Sequence, residues 1–135
     1  DQIPEMAGMF QREVALRLAA DAGSKIYGVT SVLTQAYYQV DYLFTLDEHA
    51  FIPPPKVKSG VIHLRRHAIM PDVPYKDLAR VVKTAFGMRR KTLRNALKSL
   101  TFSNLELFES VAHLRAEQLS VADFINLAKH LSHGN

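Results

Sequence analysis

The stretch Phe51-Ile52-Pro53-Pro54-Pro55-Lys56-Val57-Lys58-Ser59-Gly60-Val61 decides how the chain is organised. Consecutive prolines fix φ, supply no N–H donor and push each preceding residue toward extended geometry. The run therefore lies in neither a helix nor a central strand. It reads as a stiff connector between two β-like segments, residues 40–46 before it and 61–64 after it. Val40, Tyr42, Phe44 and Leu46 alternate with Asp41, Leu43, Thr45 and Asp47. That period of two predicts a half-buried strand. The two segments are expected to pair antiparallel, with residues 47–60 as a long ordered connection. Judged on its residues alone, such a connector more often joins strands than carries chemistry.

Upstream, Met6-Ala7-Gly8-Met9-Phe10-Gln11 is short and apolar and predicts a strand buried on both faces, as in a parallel sheet. Residues 12–20 are rich in helix formers, with Val14, Ala15 and Leu18 on the expected buried face. Gly23-Ser24 and Gly28 mark a turn over 21–28, and Gly28 is a candidate for positive φ. Tyr27, in that turn, reads equally as a packed residue or a substrate contact. Thr30 or Ser31 is expected to cap a helix reaching about residue 39, with Val32, Leu33, Ala36, Tyr37 and Val40 on its inner face.

Downstream, residues 68–74 hold Pro71 and Pro74, show no periodicity and read as an interdomain linker. The pattern after them is helical throughout. Leu78, Val81, Val82, Ala85 and Phe86 form a full apolar stripe, with Gly87 placed as the residue that ends the helix. Leu93, Ala96, Leu97 and Leu100 predict a second helix over about 89–99. A short helix or turn is expected near 105–111. Ser120 and Asp123 form a capping box, and Leu119 staples onto Phe124. The helix that follows is expected to bury Phe124, Leu127, Ala128 and Leu131. The expected fold is α/β over 1–67, a linker over 68–74 and an all-α domain over 75–135.

At 135 residues the chain is long enough to bury a core. The absence of cysteine excludes a disulfide framework and a thiolate metal site. No apolar run approaches the ~20 residues of a membrane span. The six histidines form no ligand motif, so neither a metal nor a catalytic histidine is assigned. The net charge of +4 is modest, but its placement is uneven. Arg80, Lys83, Arg89, Arg90, Lys91, Arg94 and Lys98 lie in a segment without Asp or Glu. Lys91, Arg94 and Lys98 would share a helix face opposite the apolar stripe. A solvated face and a nucleic-acid interface are both open on this pattern. Arg90 is the candidate for a structural ion pair to the first part of the chain. Lys56 and Lys58 flank Val57 as either phosphate contacts or solvated charges.

Five stretches together resemble the rRNA adenine N6,N6-dimethyltransferase family. They are the proline run itself, Gln11-Arg12-Glu13-Val14-Ala15-Leu16-Arg17, Tyr27-Gly28-Val29-Thr30-Ser31-Val32, Phe86-Gly87-Met88-Arg89-Arg90-Lys91-Thr92-Leu93-Arg94-Asn95-Ala96-Leu97, and Arg115-Ala116-Glu117-Gln118-Leu119-Ser120. The resemblance implies the C-terminal part of a Rossmann-like methyltransferase sheet (a strand, two helices and a β-hairpin) followed by a small helical rRNA-binding domain. It implies a cytoplasmic enzyme that uses S-adenosylmethionine to dimethylate adenines of small-subunit rRNA during ribosome assembly. Phe51 would stack on the target adenine. Arg89, Arg90, Lys91, Arg94 and Lys98, with Lys56 and Lys58, would meet the RNA.

The family's glycine-rich cofactor loop and its Asn-Leu-Pro-Tyr-type catalytic motif are not in this sequence. The chain opens at Asp1-Gln2-Ile3-Pro4. The expectation is a C-terminal fragment that contains no catalytic residue, binds no S-adenosylmethionine and is inactive alone. A truncated sheet would expose an edge through which copies could associate. Two other readings stand beside this one. One is a large-subunit rRNA adenine methyltransferase of the antibiotic-resistance type, which residues 89–95 resemble less closely. The other is a non-enzymatic basic RNA-binding module in ribosome assembly.

Overall fold

The computed structural model describes residues 5–47, 49 and 57–133. Strand β1 (Glu5–Gln11) runs directly into helix α1 (Arg12–Leu18), and helix α2 (Val29–Gln35) leads into strand β2 (Tyr38–Leu46). Strand β3 (Ser59–Arg66) lies between the other two, in the order β1-β3-β2, and pairs antiparallel with both. The expected hairpin between β2 and β3 is therefore present. A register shift between Tyr42 and Phe44 leaves Leu43 as an extra residue. It breaks the simple alternation, and Leu43 and Phe44 are both about half exposed.

Glycine at position 60 lets α1 sit on the sheet. A Cβ there would come within 2.7 Å of the Ala15 Cβ and 2.9 Å of the Tyr42 ring. Ala15 is fully buried, but Val14 is 41% exposed, so the inner face of α1 is narrower than its sequence suggests. β1 is not buried on both faces. Met6 and Met9 are exposed, and β3 is the only strand paired with β1 among the described residues. Its apolar side chains have the capacity for burial but too little around them to supply it.

After residue 66 the described elements are helices, joined by two isolated antiparallel bridges, Thr92 to Arg115 and Phe102 to Leu131. Residues 68–74 contain no helix or strand and lead to α3 (Tyr75–Gly87), α4 (Leu93–Ala96), α5 (Leu105–Val111), a 3-10 turn (Ala116–Gln118) and α6 (Val121–Lys129). The predicted stripes are inside: Leu78, Val81, Val82 and Ala85 from α3, Leu93 and Leu97 around α4, and Phe124, Leu127 and Ala128 from α6. Ser120 Oγ accepts from the Asp123 amide, and the Asp123 carboxylate accepts from the Ser120 amide, completing the expected capping box. The core does not stop at residues 68–74. Ala20, Tyr27, Val32 and Ala36 join the buried side chains of α3 and α6 in one cluster.

Several local expectations are corrected. The 89–99 helix shrinks to the single turn of α4. The amides of Leu93 and Arg94 bond to the carbonyls of Leu114 and Ala112, so tertiary partners hold the start of this turn. The apolar spacing survives as a series of turns, but one continuous helical charge face does not. α2 ends at Gln35 and is capped at Gly28, whose amide donates to Ser31 Oγ at 3.1 Å. Gly28 has φ −162°, an extended conformation open to any residue, and Gly23 takes the positive φ of +93°. Gly87 is the last helical residue of α3 rather than a left-handed terminator.

Two glycine variants should consequently behave in opposite ways. Gly60→Ala should destabilise the fold by about 1–3 kcal/mol, because α1 and Tyr42 must move. Gly87→Ala, with nothing within 4 Å of the new Cβ, should stabilise it by about 0.4–1 kcal/mol. Urea unfolding of both variants beside the parent chain measures the two signs.

Candidate nucleic-acid interface

The basic segment divides into cations that the fold consumes and cations that it leaves free. Arg89 belongs to the first group. Its guanidinium donates to the carbonyls of Lys25 at 2.9 Å and Tyr27 at 2.7 Å. Its Nε lies 3.4 Å from a Glu117 carboxylate oxygen, and the group stands 5.3 Å from the centroid of the Phe86 ring. One planar fork thus ties the end of α3 to the turn before α2 and to the 3-10 turn. Arg90, the expected structural partner, is exposed and makes no ion pair among the described residues. The structural pairing expected of Arg90 is made by Arg89 instead. Nothing in a pair of adjacent arginines shows which of them faces the loop.

Tyr27 completes the same junction. It is 1% exposed, packs edge-on to Phe86 with ring centroids 5.9 Å apart, and donates its hydroxyl to the Leu119 carbonyl at 2.7 Å. Burial, together with Asp123 and Asp21, pushes its pKa up to about 12. The structure thus settles Tyr27 as a packed residue.

Arg94 is exposed and forms a two-pronged pair with Glu109, one prong at 3.0 Å. The hydrogen bond from Arg94 holds the Glu109 carboxyl below its usual range. The cation is present at the surface but already has an anionic partner. Lys91 and Lys98 are exposed and make no ion pair among the described residues. With Lys91 outside α4, these residues do not form the expected i, i+3, i+7 face. Lys58 is exposed beside β3, and its carbonyl accepts the Arg12 amide at 2.8 Å. Phe51 and Lys56 lie outside the described residues.

A cleft of about 580 Å³ opens between α2 and the sheet, lined by Met6, Leu33, Thr34, Tyr37, Tyr38, Leu64, Arg66 and Met70. Its lining is chiefly apolar and contains no carboxylate. Among the described residues, no group of three His, Asp or Glu side chains converges as a metal site. No helix among them is long and apolar enough to cross a membrane. Among the described residues the geometry offers an exposed basic surface that includes Arg90, Lys91 and Lys98.

Comparison with known proteins identifies the family. The family profile described as Ribosomal RNA adenine dimethylase matches residues 1–133. The chain belongs to that family. The Ribosomal RNA small subunit methyltransferase A of Cytophaga hutchinsonii is 55% identical over 134 residues, covering 98% of this chain and 52% of that protein. The protein of the same name from Flavobacterium johnsoniae is 52% identical, covering 97% of this chain and 51% of its own length. The chain thus spans about half the length of these relatives. Among solved structures, a dimethyladenosine transferase from Plasmodium falciparum superposes with a TM-score of 0.81 at 20% identity, over 93% of this chain and 56% of that one. The 23S rRNA methyltransferase ErmE superposes with a TM-score of 0.62 at 19% identity, over 94% and 55%. At such identities the superpositions establish a shared fold.

The Tyr27–Arg89 junction makes two measurable demands on this family member. Arg89→Ala should cost about 1.5–3 kcal/mol, since its bonds are charge-assisted, and Arg89→Lys should recover only part because the fork is lost. The second demand concerns pH. The raised Tyr27 pKa favours folding fully below pH 10, and that contribution is lost as pH rises through about 12. Tyr27→Phe should therefore show a shallower decline of stability between pH 10 and 12. Urea unfolding at a series of alkaline pH values measures the difference.

Proposed function

We propose that this chain forms the C-terminal half of an S-adenosylmethionine-dependent enzyme that dimethylates adenine N6 in small-subunit rRNA, in the cytoplasm and during ribosome assembly. The 55% identity to a small-subunit methyltransferase over 98% of the chain carries this reading. On it, β1, β3 and β2 belong to a larger Rossmann-like sheet, whose remaining elements would cover β1. Residues 75–135 form the rRNA-docking part. Phe51 stacks on the adenine after the base has left its helix, a contact worth ~1–3 kcal/mol. Arg90, Lys91 and Lys98 meet phosphate, with Lys56 and Lys58 near the captured base. Arg94 remains shared with Glu109, and Arg89 preserves the scaffold.

The described residues do not fit S-adenosylmethionine as a stand-alone site. The apolar cleft offers no carboxylate for the ribose hydroxyls, and the sequence contains no glycine-rich loop. In a calorimetric titration the 135-residue chain should show no S-adenosylmethionine site. A stoichiometric micromolar site would overturn this part of the proposal.

The RNA assignment has its own test. Each neutralised phosphate contributes ~0.7–0.9 to the slope of log K against log salt. Replacing Arg90, Lys91 and Lys98 with glutamine should flatten that slope by about two to three units for a small-subunit rRNA stem-loop. Arg94→Gln alone should leave it nearly unchanged, because Glu109 already occupies the guanidinium. Fluorescence anisotropy titrations over a salt series read both effects. A triple variant with the parent slope would contradict the assignment.

A further inference from the structure

We infer that the outer face of α3, rather than α4, forms the main RNA-phosphate track, with Lys76, Arg80 and Lys83 as its contacts. This inference rests on the RNA-docking role proposed above and adds residues outside that set. The three cations sit at i, i+4 and i+7 of a 13-residue helix. At about 100° per residue they fall within one narrow arc, with successive charges about 4.5–6 Å apart along the axis. All three are exposed and make no ion pair among the described residues. The opposite arc carries Leu78, Val81, Val82 and Ala85, each fully buried, so packing fixes which way the cations point.

Two further features favour a polyanion over a solvated face. The one acid of α3, Asp77, is buried and bonded to His133 Nε2 at 2.8 Å, so it does not neutralise the outer arc. Gly87 continues the same arc as the i+11 position from Lys76. The fold does not require a glycine there, because its φ is not positive and an added Cβ would meet nothing within 4 Å. The end of the track is consequently bare backbone, open to close approach, and it leads directly to the exposed Arg90 and Lys91. A row of like charges on a rigid rod matches a chain of phosphates by charge. α4, at four residues, supplies no comparable rod.

The test compares the 135-residue chain with two variants, Lys76→Gln/Arg80→Gln/Lys83→Gln and Lys91→Gln/Lys98→Gln. Each is titrated with a small-subunit rRNA stem-loop over a salt series, and far-UV circular dichroism melts verify folding. The α3 variant should melt like the parent and flatten the salt slope by about two to three units. If it kept the parent slope while the Lys91/Lys98 variant lost its share, the α3 track would be overturned and the RNA-docking role would stand. If the parent chain bound the RNA without salt dependence, or bound anionic phospholipid vesicles and not RNA, both would fall.

Discussion

Tyr27 places a phenol inside the junction between the two parts of the chain, and the rest of the structure depends on that placement. The ring is buried against Phe86, while its hydroxyl reaches the Leu119 carbonyl at the end of the 3-10 turn. Its own carbonyl accepts from Arg89. One residue in the turn before α2 thereby engages the end of α3 and the entrance to α6. Removing the ring would open a cavity at the point where the strand-bearing part meets the helical part, and deletions of that size typically cost about 3–5 kcal/mol. Arg89 reinforces the joint by covering Phe86 and pairing with Glu117.

This constraint explains why two regions that look separate in sequence share one core. Residues 68–74 have the composition of a linker, yet α2 before them and α3 and α6 after them bury side chains in the same cluster. The segment divides the chain by connectivity and not by packing. For the proposed role in RNA modification the consequence is positional. On the proposed function, capture of a base on one side and docking of phosphates on the other are productive only at a fixed separation, since orientation accounts for much of the rate of such a reaction. A shared core fixes that separation more firmly than a hinge would.

Much of the fold was legible in the sequence because it follows from periodicity. The α3 stripe, the Ser120 capping box and the β2–β3 pairing are local patterns, and each survives in the structure. The failures have tertiary causes. Arg89 and Arg90 are chemically equal neighbours, and only the approach of residues 25–27 selects Arg89 as the clamp. The turns around α4 keep the helical spacing of Leu93, Ala96 and Leu97, but bonds to Leu114 and Ala112 replace the helix that would have aligned the charges. Gly28 and Gly87 suggested special backbone conformations, and neither has positive φ. For β1, an apolar composition specified what could be buried and not what is present to cover it. The candidate interface was legible as a charge run, but its division into bound and free cations required coordinates.

The central claim is that α2 and the helices after residue 74 form one cooperative unit through the Tyr27–Arg89 junction. Native-state hydrogen exchange under increasing denaturant tests it most directly, because it reports the opening free energy of each segment. Amides of Val32 and Ala36 should converge on the same opening isotherm as those of Val82, Ala85 and Ala128. A lower, separate isotherm for the α2 amides, with α3 and α6 still protected, would contradict the account.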